Sequence, residues 1–228
     1  MSPHPADHPG PLAFVDDLEA PVLSGDDRHH LTRVLRLRPD APCTIADGAG
    51  RWRTARLGDE LTPTGPVEEA QPRLPRLAVG VALVKGDKPE LVVQKLTELG
   101  IDRIVLFRAA RSVVRWDDAK GGRSLDRLRQ IARAAAMQCH RPDLPVLDLA
   151  ADLAALAAGE GLAIAQRDGP PITLDHPTVL VGPEGGWSDE ELGVGLPRVG
   201  LGEHVLRAET AAITAGVLLS SLRGAASR

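Results

Sequence analysis

The sequence predicts an α/β protein in two parts: a small β-rich domain over residues 1–72, then an α/β/α domain over 73–228 built on a parallel sheet. Three observations predict it. Residues 1–72 alternate short apolar segments with Gly, Pro and Asp clusters, the pattern of short strands joined by turns. Thr62 to Pro75 holds four prolines and few apolar residues and reads as a linker. Beyond it Leu77 to Val84 is continuously apolar, as a strand buried on both faces of a parallel sheet is.

Composition narrows the class of protein. With 228 residues the chain holds one large domain or two smaller ones, and its 43% hydrophobic content is ordinary for a globular core. Aromatic residues make up only 2%, with no Tyr, so the core must be packed from Leu, Val, Ile and Ala. A formal charge of −4 argues against indiscriminate coating of nucleic acid, while leaving room for a local basic face. Cys43 and Cys139 stand far apart with no CxxC partner, so neither a zinc site nor a disulfide is expected, and a reducing, cytoplasmic setting is. No metal is expected. The first residues show no basic region followed by an apolar core, and no apolar run reaches about 18 residues, so neither a secretion signal nor a membrane span is expected.

Taken in order, Leu12–Val15, Pro42–Ile45 and Trp52–Leu57 are the first strands. Gly25 to Pro39 carries a helical turn bearing Arg28, His29, His30, Arg33, Arg36 and Arg38, the densest basic cluster in the chain. It reads either as a solvated helix face or as a phosphate-contacting patch, since Arg pairs with phosphate oxygens without reading bases. After the first parallel strand, Lys85 to Pro89 turns into a helix from Glu90 that ends on Gly100, and Ile101–Phe107 supplies a second strand, completing a βαβ unit. Arg108, Arg111 and Arg115 follow at the strand end, where ligands of open sheets gather. Ser124 to Met137 repeats Leu125, Leu128, Ile131 and Ala135 at helical spacing. Leu147–Ala158 reads as another helix, Leu162–Gln166 as a strand, and Ala211–Leu222, with small and aliphatic residues on every face, as a buried or interface helix.

The stretch Thr178 to Thr214 carries the chemistry. Val179–Val181 is a short buried strand; Gly182, Pro183, Glu184, Gly185 and Gly186 then let a ligand lie against the main chain. Ser188 and Glu191 form a capping box that starts a helix. The layout is similar to a phosphate cradle, yet Glu184, Asp189, Glu190 and Glu191 would repel an anion, and a cationic or neutral ligand fits better. Leu201 and Gly202 make a second glycine turn, followed by Val205, Leu206, Arg207, Glu209 and Thr210.

GPEGGWSDEEL followed by LGxxVLRAETA closely resembles the signature of the bacterial 16S ribosomal RNA (uracil-1498-N3) methyltransferases of the SPOUT superfamily. The resemblance implies a PUA-like β-barrel over 1–72, a SPOUT methyltransferase domain over 73–228 with a C-terminal trefoil knot, and S-adenosylmethionine as cofactor. It implies cofactor contacts at Val181, Gly182, Pro183, Glu184, Gly185, Gly186, Leu201, Gly202, Leu206, Thr210 and Ala211. RNA contacts are implied at Arg28, Arg33, Arg36, Arg38, Arg111, Gln138 and Arg141. The partners implied are 16S rRNA within the small subunit and a second copy of the chain, docked through the last helix. The sequence departs from the family at Ala110, Ala134 and Met137, where acidic residues are common.

For the chemistry, the N3 of uridine must lose a proton before it attacks a methyl group, so a base or anion stabilisation is required. Arg207 is the candidate for stabilising the developing charge and Glu209 for orienting it or taking the proton, with a structural Arg–Glu pair as the alternative. Trp187 and Trp116 could stack a splayed base or simply pack. Two other functions stay open at this stage: a non-catalytic ribosome-associated RNA-binding module, and a SPOUT enzyme methylating the ribose 2′-OH of transfer RNA.

Overall fold

A computed structural model describes residues 3–83, 88–112 and 118–226, the side chains of 118–120 excepted. Val84 to Asp87, Val113 to Asp117 and the extreme termini lie outside the described residues, and with them Lys85, Arg115 and Trp116. The chain divides into two compact units, one of Met1–Pro72 with Arg133–Leu144, the other of Arg73–Ala132 with Pro145–Arg228.

The first unit is built on a five-stranded sheet: β1 (Leu12–Phe14), β2 (Ala41–Ala46), β3 (Arg51–Leu57), β4 (Leu61–Pro63) and β5 (Glu68–Glu69). β1 runs parallel to β2, and β3 pairs antiparallel with β2, β4 and β5. Trp52, Ala55 and Leu57 of β3 are buried, meeting Leu12, Phe14, Leu31, Cys43 and Ile45 in an apolar interior. The linker expected over Thr62–Pro75 is corrected here: β4 and β5 lie in it. The sheet's need for partners along β3 outweighs the local proline content, and Pro63 sits at the end of a short edge strand, where a missing amide is tolerated. The basic segment forms α1 (Gly25–His29), capped by Ser24, and continues as a π-turn over His30–Val34.

Asp27, buried in α1, meets Arg133 from the last part of a long helix, and the Arg133 guanidinium stacks 5.0 Å over the Phe14 ring. A charge removed from water needs such a partner. Burial also pushes the Cys43 thiol up to about 11.

The second unit is a six-stranded, wholly parallel sheet in the order β11, β9, β10, β6, β7, β8. Its elements in chain order are β6 (Ala78–Ala82), α2 (Lys88–Glu98), β7 (Arg103–Phe107), α3 (Asp118–Gln138) and β8 (Val146–Ala150). There follow α4 (Leu153–Ala157), β9 (Leu162–Ala165), β10 (Thr178–Val181), α5 (Asp189–Gly193), β11 (Arg198–Val199) and α6 (Ala208–Ala226). Gly100, with φ of 76°, ends α2: Ile101 N–H donates to Leu96 C=O (3.0 Å) across the turn. The α/β class with a parallel sheet stands as the sequence predicts.

The helix expected over Leu147–Ala158 is corrected: Val146–Ala150 is the edge strand β8, and only Leu153–Ala157 is helical. Alternation decides it, because Leu147 faces the core while Asp148 on the other face pairs with Arg103 (2.6 Å) of β7. Reading the Ala-rich run by composition hid that alternation.

At the far end of α6, Arg223 is 4% exposed and reaches Asp102 Oδ2 at 2.5 Å, while its other nitrogen donates to Gly100 C=O at 2.7 Å. Asp102 also accepts from Leu77 N–H (2.8 Å), so one carboxylate joins the last helix to the residues that lead into β6 and β7. Arg223→Ala, which leaves the buried carboxylate the exposed Arg76 (3.4 Å) as its cationic partner, is expected to cost about 3 kcal/mol in urea unfolding; a loss below about 1 kcal/mol would show the pair to be idle. Cys43 is expected to resist iodoacetamide at pH 8 in the folded protein and to react on unfolding. Because its folded value is raised, the stability it contributes is complete below the ordinary thiol value of 9.0 and falls as pH climbs towards about 11.

Candidate functional site

β10 and β9 both end at the same edge of the sheet, and their C-terminal ends open into a cavity of about 390 Å³. Open parallel sheets bind ligands at such an edge. Ala165, Gln166 and Arg167 continue β9 along one wall; Val181, Gly182, Pro183, Glu184 and Gly186 follow β10; Leu201, Gly202, Leu206 and Ala211 close the other side. The two glycine turns, 15 or more residues apart in sequence, therefore line one cavity.

The first turn is closed by Gly186 N–H donating to Pro183 C=O (2.9 Å), with Gly186 at φ of 70°. Its geometry depends on Trp187, which is 8% exposed, donates from Nε1 to Ala165 C=O (3.0 Å) and stacks on Phe107 with centroids 6.0 Å apart. A Cβ on Gly182 would stand 3.0 Å from the Trp187 ring, so only glycine fits there without displacement. At the second turn the backbone of Gly200 crosses that of Gly169, and a Cβ on Gly200 would lie 2.5 Å from Gly169 C=O. This crossing fixes β11 and hence where Leu201 and Gly202 leave it.

The capping box is present: Glu191 N–H donates to Ser188 Oγ (3.2 Å) and Ser188 N–H to Glu191 Oε2 (2.8 Å). Glu191 also accepts from Ala110 N–H (2.8 Å), which ties the loop after β7 to α5. Its charge is therefore engaged in structure. Glu184 differs: it accepts from Lys88 Nζ at 2.8 Å, and that hydrogen bond holds its carboxyl below the usual range and raises Lys88. The same Nζ lies 3.3 Å from Glu209 Oε2, a buried oxygen without a well-aligned hydrogen bond.

Of the remaining expected site residues, Arg207 is exposed immediately before α6, and Thr210 and Gly185 stand outside the cavity lining. Arg111 is exposed and donates to Gly185 C=O (3.1 Å), so it supports the glycine turn from outside. Arg33, Arg36, Arg38 and Gln138 are exposed, whereas Arg28 donates to the carbonyls of Gly58 (2.9 Å) and Asp59 (2.8 Å). Arg141 is 5% exposed and grips Asp143 through Nε (3.0 Å) and Nη2 (2.7 Å). Sequence reasoning missed Gln166, His204, Lys88 and the wall role of Trp187. Only the proximity of Lys88 to the helix start was readable, since its partners lie 96 and 121 residues away in the chain.

Comparison with known proteins places this geometry. A family model described as an RNA methyltransferase domain matches residues 71–220, and one described as an RNA methyltransferase PUA domain matches residues 23–62. The ribosomal RNA small subunit methyltransferase E of Mycobacterium bovis is 32% identical over 250 residues, covering 95% of each chain. The Bacillus subtilis protein of the same name is 34% identical over 140 residues, covering 58% of this chain and 55% of its own. A solved Porphyromonas gingivalis structure superposes with a TM-score of 0.79 at 26% identity, covering 95% of this chain and 99% of that one. A Legionella pneumophila protein solved in complex with the bound cofactor SAM superposes at 0.74 with 29% identity, covering 94% and 97%. The chain belongs to the RNA methyltransferase family.

Proposed function

We propose that the protein is an S-adenosylmethionine-dependent methyltransferase acting on N3 of the uridine at position 1498 of 16S ribosomal RNA in the small subunit. The observation that carries this reading is the single cavity lined by both glycine turns at the C-terminal edge of β9 and β10. Its residues suit the cofactor: apolar walls from Val181, Leu201, Leu206 and Trp187 for a flat base, close main-chain approach at Gly182 and Gly202, and the carboxylate of Glu184 for a positive centre. When bound, S-adenosylmethionine supplies an activated methyl group.

The chain's own residues do the rest. Arg207, exposed at the cavity rim, stabilises charge developing on the uracil, and Glu209 holds or takes the N3 proton. Arg33, Arg36, Arg38 and Gln138 of the first unit contact the RNA, Arg111 contacts it from the transferase unit, and Arg28 and Arg141 serve their own unit's structure. The protein acts in the cytoplasm as a homodimer docked through α6, and its C-terminal segment forms a trefoil knot. In support, α6, the last element, packs on α2 and β6, the first helix and strand of its unit. Among the described residues no helix is long and apolar enough to cross a membrane, and no group of three His, Cys, Asp or Glu could hold a metal.

Incubation with methyl-labelled S-adenosylmethionine and undermethylated small subunits is expected to yield N3-methyluridine; a ribose methyl, or RNA binding without transfer, would overturn the proposal. Arg207→Ala is expected to lower kcat about 100-fold with donor affinity preserved. Gly182→Ala, whose methyl group crowds the Trp187 ring and shifts the cavity wall, is expected to weaken donor binding about tenfold by calorimetry. Replacing Arg33, Arg36 and Arg38 by Ala is expected to flatten the salt dependence of RNA binding by about one unit of slope per lost phosphate contact.

A further inference from the structure

Lys88 opens α2, yet its ammonium sits between Glu184 of the cavity wall and Glu209, which lies between the wall residues Ala208 and Ala211 in sequence. It donates to Glu184 Oε1 of the first glycine turn at 2.8 Å and lies 3.3 Å from Glu209 Oε2 in the first turn of α6. Both oxygens touch one nitrogen, so they stand at most about 6 Å apart, where like charges repel unless a cation intervenes. The hydrogen bond raises Lys88 and lowers Glu184, so both are charged at neutral pH. The other charged neighbours are engaged or exposed: Glu90 of α2 pairs with Arg127 (2.9 Å), and His204 and Arg207 lie exposed on the segment before α6. Three charges thus act as a unit of net −1 beside the cavity.

We propose that Lys88 is a positioning and specificity residue of the cofactor cavity: it ties the glycine turn to α6 and sets how strongly the cavity distinguishes the positively charged methyl donor from its neutral demethylated product. The inference rests on the reading of this cavity as the donor site. Methyl transfer moves CH3 from sulfur to the uracil nitrogen, and the S–C bonding pair stays on sulfur, which passes from a sulfonium to a neutral thioether. Carboxylates beside the cavity therefore favour donor over product, and an ammonium between them restrains that preference. Too large a preference would tighten the ground state of the donor without helping transfer. Lys88 also keeps Glu184 and Glu209 from separating, and with them the two walls.

The test is calorimetric titration of the full-length protein with S-adenosylmethionine and, separately, with S-adenosylhomocysteine, melting temperature being followed alongside. The ratio of the two dissociation constants isolates charge, because loosening of the walls weakens both ligands together. Lys88→Met leaves a net charge of about −2 and is expected to move the ratio about fivefold towards the donor, whereas Lys88→Arg keeps it within twofold of the parent. Glu184→Gln, which leaves the cluster neutral, is expected to move the ratio the opposite way, and Lys88→Met/Glu184→Gln to return it to the parental value. A ratio unchanged in both Lys88→Met and Glu184→Gln overturns the proposal, even if both affinities fall in parallel. Failure of the parent protein to bind either ligand would instead overturn the reading of the cavity itself.

Discussion

The contact of the Trp187 ring with Gly182 is the constraint on which the candidate site depends. Trp187 is held by its hydrogen bond to Ala165 and its stack on Phe107, and a Cβ on Gly182 would crowd the ring at 3.0 Å. Through that one indole, three parallel strands are brought into register at their functional ends: β10 through Gly182, β9 through Ala165 and β7 through Phe107. In a chain with only 2% aromatic residues, a large ring placed at the strand ends accounts for much of the apolar surface under the turn. The cavity is thus a by-product of core packing: its floor is the same side chain that closes the interior.

Around that floor, the negative charges conspicuous in the sequence separate into two kinds. Glu191 is tied down by the amides of Ser188 and Ala110, one on each carboxylate oxygen. Glu184 and Glu209 instead face a lysine from the start of α2, at the cavity's edge. The distinction matters because a carboxylate fixed by backbone donors holds loops together, while one held by a flexible ammonium can exchange partners. The acidic character that argued against an anionic ligand is therefore real, but it is carried by fewer residues than the run of Glu and Asp suggests.

Much of this was legible in the sequence wherever local rules govern. The apolar run of β6, the glycine ending of α2 and the Ser188 capping box each follow from neighbours within a few residues. Gly182 to Gly186 and Leu201 with Gly202 could be singled out because glycines cluster directly after a short apolar strand and recur in a second turn that matches the same family signature. What was not legible depends on partners distant in the chain. β8 was hidden because the alanines that follow it favour helix, and the pairing of Asp148 with Arg103 across the sheet edge bears out the alternation that composition obscured. β4 and β5 were hidden by prolines whose tolerance depends on an edge position. Lys88 gave no signal, since nothing in KGDKP announces carboxylates about a hundred residues downstream. Arg28 and Arg141 looked like free cations because sequence does not show the carbonyls and carboxylate that occupy them.

The long helix α3 carries a consequence for how the protein can be taken apart. Its final turns and the residues up to Leu144 belong with Met1–Pro72, where Arg133 neutralises Asp27, covers Phe14, and is followed by Ala136 in the same apolar interior. A fragment ending at Pro72 would leave an aspartate in a greasy surrounding with no counter-ion and one side of its interior open to water. The amino-terminal part is thus discontinuous along the chain, and its completion during synthesis must wait until the ribosome has read residues 73–132 of the other part.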